Sequence, residues 1–302
     1  MRVLVTGANG YVGRAVVAAL SAAGHSPVAM VRADGPEISG AAEVRSADLL
    51  DPASLHSVVE DVDAVCHLAG VTRARESLAE PLRYFRVNAG GTIALLDAMT
   101  RADVRKIVFA STGSIYGTPD RQPMDELLPD APPHPYASSK LAAELAVEAQ
   151  SQGAGFAAIT VRMLNVAGGA DRDPTRLVPR ALAAAEGDGS LMVNGDGSAV
   201  RDYLHIADAA AAFVACIEHF PARGAAKRYN IGSGHGFSVL DVIAAAERVT
   251  GHRIPLEFRS AAIEPAALIS DPSKAMAELS WSAKHSGIDE IVRDAWSTMR
   301  EP

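Results

Sequence analysis

One stretch near the start limits what this chain can become. The apolar run Arg2–Thr6 passes directly into Gly7-Ala8-Asn9-Gly10-Tyr11-Val12-Gly13. A helix-period run, Val12–Ala23, follows and stops at Gly24. A glycine triplet alone is a weak signal, but strand, tight turn and helix start in that order form the context in which one binds a dinucleotide. A turn without side chains lets backbone approach a pyrophosphate, and the helix N-terminus adds N–H donors and partial positive charge. Gly7, Asn9, Gly10, Tyr11, Val12 and Gly13 are therefore candidate cofactor contacts; the plainer alternative is a structural Gly-rich turn.

The first half keeps the same rhythm. Strand-like runs at Ser26–Val31, Glu43–Ala47, Ala64–Leu68, Lys106–Ser111 and Phe156–Arg162 alternate with helical runs at Pro52–Glu60, Pro81–Thr100 and Ala137–Gln152. Near-continuous apolar strands, each leading into a helix, predict an α/β fold: a doubly wound parallel sheet with helices on both faces. The rhythm breaks after about Asn165. Residues 166–200 read as loops around one helix, Leu177–Glu186. Then come a helix over Ala207–His219, a strand near Tyr229–Ile231, a helix over Val239–Thr250 and loop-rich sequence to the end. The expected division is a dinucleotide-binding domain over 1–164 and a smaller, discontinuous C-terminal substrate-binding domain over 165–302. Segments of about 201–232 return to the first.

Charge and cysteine usage exclude several classes. The net charge is −8 and no basic tract is longer than an isolated pair, which argues against a nucleic-acid partner. No apolar run reaches the roughly 18 residues of a membrane span, and the chain opens on a strand rather than a leader pattern. Cys66 and Cys216 stand far apart, in apolar runs and in no metal-type spacing. They read as buried small hydrophobes in a reducing compartment. A cytoplasmic protein with no metal site is expected.

The end of the second strand bears on which dinucleotide binds. An acid there would accept from a ribose 2′-OH and indicate NAD. The sequence instead reads Val28-Ala29-Met30-Val31-Arg32. Arg32 would suit a 2′-phosphate and so NADP, or it is a surface arginine near the adenine; Asp34 is close enough in sequence to serve the ribose instead.

Further on, Tyr136-Ala137-Ser138-Ser139-Lys140 opens a helix. Residues four apart share a helix face, so Tyr136 and Lys140 point the same way. A phenol titrates near pKa 10 in water; a neighbouring ammonium and a nicotinamide cation both favour the phenolate and make it a usable base. Upstream, a strand ends in the hydroxyl cluster Ser111-Thr112-Gly113-Ser114.

These motifs together resemble the extended short-chain dehydrogenase/reductases, and among them the UDP-glucose 4-epimerase-like nucleotide-sugar enzymes, whose fold is Rossmann-type. The likeness runs through Val5–Gly13, His67–Gly70, Asn88, Gly91-Thr92, Ser111–Gly117, Pro135–Lys140 with Glu144, Arg162–Val166, Gly195–Ser198, Arg201–His205 and Tyr229–Gly232. It implies Tyr136, Lys140, Thr112 and Ser114 as the catalytic group, with Thr112 hydrogen-bonding the reacting sugar oxygen. It implies Asp48 and Leu49 near the adenine, Leu68, Ala69 and Gly70 beneath the dinucleotide, and Asn88, Tyr136 and Lys140 as further cofactor contacts. For a nucleotide-sugar substrate it implies Asn165 and Arg201 at the diphosphate, and Leu177 and Val193 framing the base. It also implies a homodimer through the helices at 81–100 and 137–152.

Two departures stand out. The family's Arg-Arg-x-Gly-Asp stretch, whose arginine holds the second phosphate, is here Ser260-Ala261-Ala262-Ile263-Glu264-Pro265, and Met163 stands where an aromatic is usual. Thr112-Gly113-Ser114 lacks the acids of the dehydratases. The function expected is NAD(P)-dependent 4-epimerisation of a nucleotide-diphosphate sugar through a transient ketone. An NADPH-dependent ketoreductase of a nucleotide-linked 4-keto sugar is the alternative, favoured by Arg32. A non-catalytic dinucleotide-sensing protein is disfavoured by the intact Tyr136, Lys140 and Thr112.

Overall fold

The computed structural model describes residues 1–32, 37–261 and 264–300. In chain order these form β1 (Arg2–Thr6), α1 (Tyr11–Ala22), β2 (Ser26–Val31), β3 (Glu43–Ser46), α2 (Pro52–Val58), β4 (Ala64–His67) and α3 (Ala74–Ser77). Next come α4 (Pro81–Tyr84), a π-helical turn (Phe85–Gly90), α5 (Gly91–Arg101), β5 (Lys106–Thr112), a 3₁₀ turn (Gly113–Tyr116), α6 (Pro135–Ala154) and β6 (Ala157–Met163). The second half holds β7 (Asn165–Ala167), α7 (Leu177–Ala185), β8 (Leu191–Asn194), β9 (Val200–His205), α8 (Ile206–Glu218), β10 (Ala226–Ile231) and β11 (Gly236–Ser238). It ends with α9 (Val239–Thr250), β12 (Leu256–Arg259), β13 (Ala267–Leu268), α10 (Ser273–Leu279) and α11 (Ile288–Met299).

Seven strands form one sheet in the order β10-β6-β5-β4-β1-β2-β3, every pair parallel. This is the Rossmann-type doubly wound sheet expected from the alternating apolar runs. Apolar side chains leave both faces. Val3, Val5, Cys66, Val108 and Val161 pack with α1 and α8 on one side. Leu4, Val65, Ile107 and Phe109 pack with α2, α5 and α6 on the other. The strand order reverses between β1 and β4, and ligands of such sheets bind beyond the strand ends at that point.

A third cluster joins α7, α9 and α11 with β8 and Tyr203. Around it run β9, with β7, β11 and β13 beside it, and the β8–β12 pair. The loop-rich ending expected after residue 250 is wrong: β12, β13, α10 and α11 lie there. Ile288, Ile291, Val292, Ala295 and Met299 pack on one side of α11, a helix-period pattern that the sequence carried. Likewise β7 and β8 lie in the stretch expected to be loops around one helix. The short apolar runs Val166-Ala167 and Leu191–Val193 acquire strand form only by pairing with β9 and β12. Among the described residues no helix is long and apolar enough to cross a membrane.

Candidate functional site

The turn after β1 is built from backbone. Gly7 has φ +68°, and a Cβ there would lie 2.9 Å from the backbone of Ala69; a Cβ on Gly13 would lie 2.1 Å from the carbonyl oxygen of Gly7. A side chain on Gly7 would push the turn off the β4 loop, and one on Gly13 would push α1 off the turn itself. Gly10 ends the turn, donating its N–H to the Gly7 carbonyl at 2.9 Å. It is the N-cap of α1, and no side chain caps that helix. The first-turn N–H groups are thus left for an anion. Asn9 and Gly10 are exposed there. The residues fit a dinucleotide: the strand end leads to an uncapped helix through a turn that tolerates no bulk. Val12 packs against the core. The Tyr11 phenol leaves the turn and donates to the Gly168 carbonyl at 2.6 Å, with the Arg176 guanidinium 5.2 Å from its ring centre.

Beside the turn, a chain of polar side chains ties β1, β4 and α5 together. Thr92 Oγ1 donates to the Asn88 carbonyl at 2.6 Å, so it accepts from His67 Nε2–H at 3.0 Å. Nδ1 of His67 then accepts from Thr6 Oγ1 at 2.7 Å. The Thr6 oxygen in turn accepts the N–H groups of Leu68 and Ala69 at 3.1 and 3.0 Å. Burial, aided by the charge of Lys140, holds the His67 pKa down at about 3. A neutral Nε2–H imidazole is what this chain of bonds requires. His67 stood in the sequence only as part of a motif; its partners lie 61 and 25 residues away, and no local spacing announces them.

Asn88 anchors the next loop. It donates through Nδ2 to the Val71 carbonyl and to Ser139 Oγ, and accepts the Val71 N–H at Oδ1, all within 3.0 Å. A Cβ on Gly70 would lie 2.8 Å from Asn88 Oδ1 and 3.4 Å from Lys140 Nζ. Gly70, Asn88 and Lys140 therefore converge. Lys140 is buried, donates to the Ala110 carbonyl at 2.8 Å and sits 4.7 Å above the Phe109 ring. Burial lowers its pKa to about 8, while Glu144 pulls it back up.

Tyr136 stands in the first turn of α6 beside Thr112. Burial pushes its phenol up to about 12, against the opposing pull of the Thr112 hydroxyl. Burial outweighs any lowering of the Tyr136 pKa. The Tyr136 ring meets Tyr84 edge-on at 6.3 Å and stacks on His134 at 5.8 Å. His134 caps α6, its Nδ1 accepting the Ala137 N–H at 3.1 Å. Thr112 is buried and accepts the Ser114 N–H at 3.1 Å, which opens the 3₁₀ turn; Ser114 is half-buried. Behind α6, Ser111 donates to Glu144. The Glu144 carboxylate is bidentate to the fully buried Arg162 at 2.9 and 2.6 Å.

The other predicted positions have local contacts of their own. Leu49 is buried against the place where a Cβ of Gly91 would be. Asp48 turns its carboxylate to the Leu50 N–H at 2.9 Å, an ordinary loop bond. Arg32 is exposed at the end of β2, and Asp34 lies outside the described residues. Asn165, on β7, is exposed and donates to the Asp202 carbonyl at 3.2 Å. Leu177 and Val193 pack in the third cluster, Val193 fully buried, so Val193 can offer a ligand only its backbone. Arg201 is held by Glu264 at 2.7 Å and by its own neighbour's carbonyl.

Comparison with known proteins places this geometry. The NAD dependent epimerase/dehydratase family matches residues 3–232. The chain is 35% identical to the UDP-glucose 4-epimerase of Lacticaseibacillus casei, over 98% of this chain and 96% of that one. It is 36% identical to that of Corynebacterium glutamicum, over 98% and 95%. The solved UDP-glucose 4-epimerase of Stenotrophomonas maltophila, with bound NAD and formylated UDP-arabinopyranose, superposes with a TM-score of 0.92 at 31% identity, covering 99% of this chain and 98% of that one. The enzyme from Bifidobacterium longum, in complex with NAD+ and UDP, gives 0.90 at 31% identity, covering 99% of both.

Proposed function

The chain belongs to the NAD dependent epimerase/dehydratase family, and on that premise we propose that it interconverts a UDP-linked sugar and its C4 epimer, with NAD as resident cofactor. The observation that carries this reading is one constellation: Tyr136 and Lys140 one turn apart on α6, Thr112 at the phenol, and Gly70 and Asn88 at the ammonium. The full-length likeness to 4-epimerases sets epimerisation above reduction.

In this reading the Tyr136 oxygen takes the proton of the sugar hydroxyl and later returns it, with Thr112 holding the same oxygen. Burial alone makes Tyr136 a poor base; positive charge from Lys140 and from an oxidised nicotinamide lowers its pKa when the site is filled. NAD, when bound, would supply a reversible acceptor for the C4 hydride, which returns to the opposite face once the ketone has turned over in the site. Asn88 and the His67 chain fix the loops that flank the dinucleotide.

The finer parts of the proposal have separate supports. Relatives solved with NAD favour NAD over NADP, leaving Arg32 a surface residue. We divide the labour between a cofactor-binding region over 1–164 and a substrate-binding region over 165–302, with about 201–232 shared. A homodimer through α4, α5 and α6 is supported by Leu82, Phe85, Ile93 and Leu145, all exposed apolar residues on these helices or the turn between them. The two free, buried thiols suit the cytoplasm.

Mass spectrometry of the cofactor released on denaturing, together with a UDP-galactose to UDP-glucose assay, tests the core reading. Stoichiometric NAD and turnover are expected. Tyr136→Phe should keep NAD and lose about 10²–10⁴-fold in turnover. NADP, or a site filled only by added NADPH, would instead support the ketoreductase and give Arg32 the 2′-phosphate.

A further inference from the structure

One buried group of charges takes no part in the proposed chemistry. Glu144 lies one turn after Lys140 on α6 and is 3% exposed. Residues four apart on a helix share a face, with Cβ atoms about 5–6 Å apart, so the ammonium and the carboxylate leave the same side of α6. Their heads dock on consecutive residues of β5. Lys140 Nζ donates to the Ala110 carbonyl at 2.8 Å, and the Ser111 hydroxyl donates to Glu144. Thr112 is the next residue of that strand. From β6, the fully buried Arg162 closes a fork on the Glu144 carboxylate at 2.9 and 2.6 Å. Arg162 Nη1 faces Asp130 at 2.8 Å, and its Cζ lies 4.6 Å from the centre of the Tyr116 ring. Arg228, on β10, reaches Glu144 at 3.4 Å. Asp130 and Arg228 lie nearer the surface, each side chain 28% exposed. The other titratable groups beside the ammonium, His67 on β4 and Tyr136 one turn earlier on α6, are uncharged at neutral pH.

A buried ion pair is weak evidence of stabilisation, because apolar residues of the same volume often serve as well. This pair joins the helix of Tyr136 and Lys140 to the strand of Thr112, which gives it another role. Resting on the epimerase reading, we infer that Glu144 and Arg162 are a positioning pair: Glu144 holds the Lys140 turn of α6 against the end of β5 and sets a negative charge beside the ammonium, while Arg162 limits that charge. Both are buried and act through Lys140. Two opposite effects follow. Without the carboxylate charge, the ammonium faces Arg162 and Arg228 alone and loses its proton at lower pH. Without the guanidinium, the carboxylate acts on the ammonium more strongly, and the proton is kept to higher pH.

The test is the pH dependence of UDP-galactose turnover by the NAD-loaded protein, read at its alkaline limb, where activity falls as the Lys140 ammonium loses its proton. Glu144→Gln should move that limb down by about one pH unit and Arg162→Met should move it up by about as much. The double variant, which removes both charges, should return it to within about 0.3 unit of the parent. Ser111→Ala keeps both charges and should leave the limb in place. Thermal melting and NAD content show which variants are folded. Breaking a buried pair is costly, so Asp130→Asn is the gentler probe: it leaves the Glu144–Arg162 fork intact and should move the limb down by about 0.3 unit. An unmoved limb in the folded single variants, or a shift of the same sign in both, overturns the pair. If neither buried variant folds, an unmoved limb in Asp130→Asn overturns it, and the downward shift supports it. A parent that holds no NAD or shows no turnover removes the epimerase reading itself, and the role of the pair with it.

Discussion

Burial lowers the Lys140 ammonium to a pKa of about 8, and Glu144, one turn along α6, draws it part of the way back. Burial also raises Tyr136 to about 12. The two groups therefore titrate in the order opposite to the one catalysis needs unless the cofactor adds positive charge. The sign of the pH effect follows. Below about pH 8 Lys140 is charged and favours the Tyr136 phenolate; as pH rises through 8 the charge is lost and the phenol becomes harder to ionise. Turnover of the NAD-loaded enzyme should fall on the alkaline side with an apparent pKa near 8. In Lys140→Met that limb should vanish and the plateau drop about 10²-fold. A parent profile that stays flat or keeps rising above pH 8 would show that the ammonium charge is not what activates Tyr136.

Among the elements, the long helical run from Pro81 to Arg101 is where local preference and function diverge. The sequence reads as one α-helix, but Phe85–Gly90 forms a π turn. Single π turns inside α-helices are frequent at functional sites, and here the turn holds Asn88, whose amide makes three bonds to Val71 and Ser139. Asn88→Ala would strand the Val71 N–H and carbonyl, while the Ser139 hydroxyl keeps its bond to the Tyr136 carbonyl. We expect a loss of about 2–3 kcal/mol in stability and faster loss of NAD, read by denaturant unfolding and by cofactor content after gel filtration. A change below about 0.5 kcal/mol would mean that the loop holds itself. The N-terminus of α6 shows a related device. His134 caps it with a ring nitrogen while its imidazole stacks on Tyr136, so one residue both ends the preceding loop and supports the Tyr136 ring.

At the scale of the whole molecule, the proposed homodimer rests on exposed apolar residues such as Ile93 and Leu145, 55% and 56% exposed on α5 and α6. Light scattering should give twice the chain mass for the parent, and Ile93→Glu with Leu145→Glu should give a single chain that still retains NAD; a monomeric parent would refute the dimer. The same scale separates what was legible in the sequence from what was not. The glycine turn, the alternation that makes a parallel sheet, and the shared face of Tyr136 and Lys140 are short-range matters. Strand and helix periods and a four-residue spacing are set by backbone geometry within a few residues, so the sequence alone determined them. It also carries the period of α11, where the sequence otherwise predicts loop. The tertiary structure alone decided that His67 is neutral between Thr6 and Thr92 and that Arg201 is paired with Glu264. It also placed β10 beside β6, and set the Lys140 ammonium against the Ala110 carbonyl. Each of these joins residues far apart in the chain, and the partner of a buried polar group is fixed by which elements the fold packs together, a choice that no local spacing encodes.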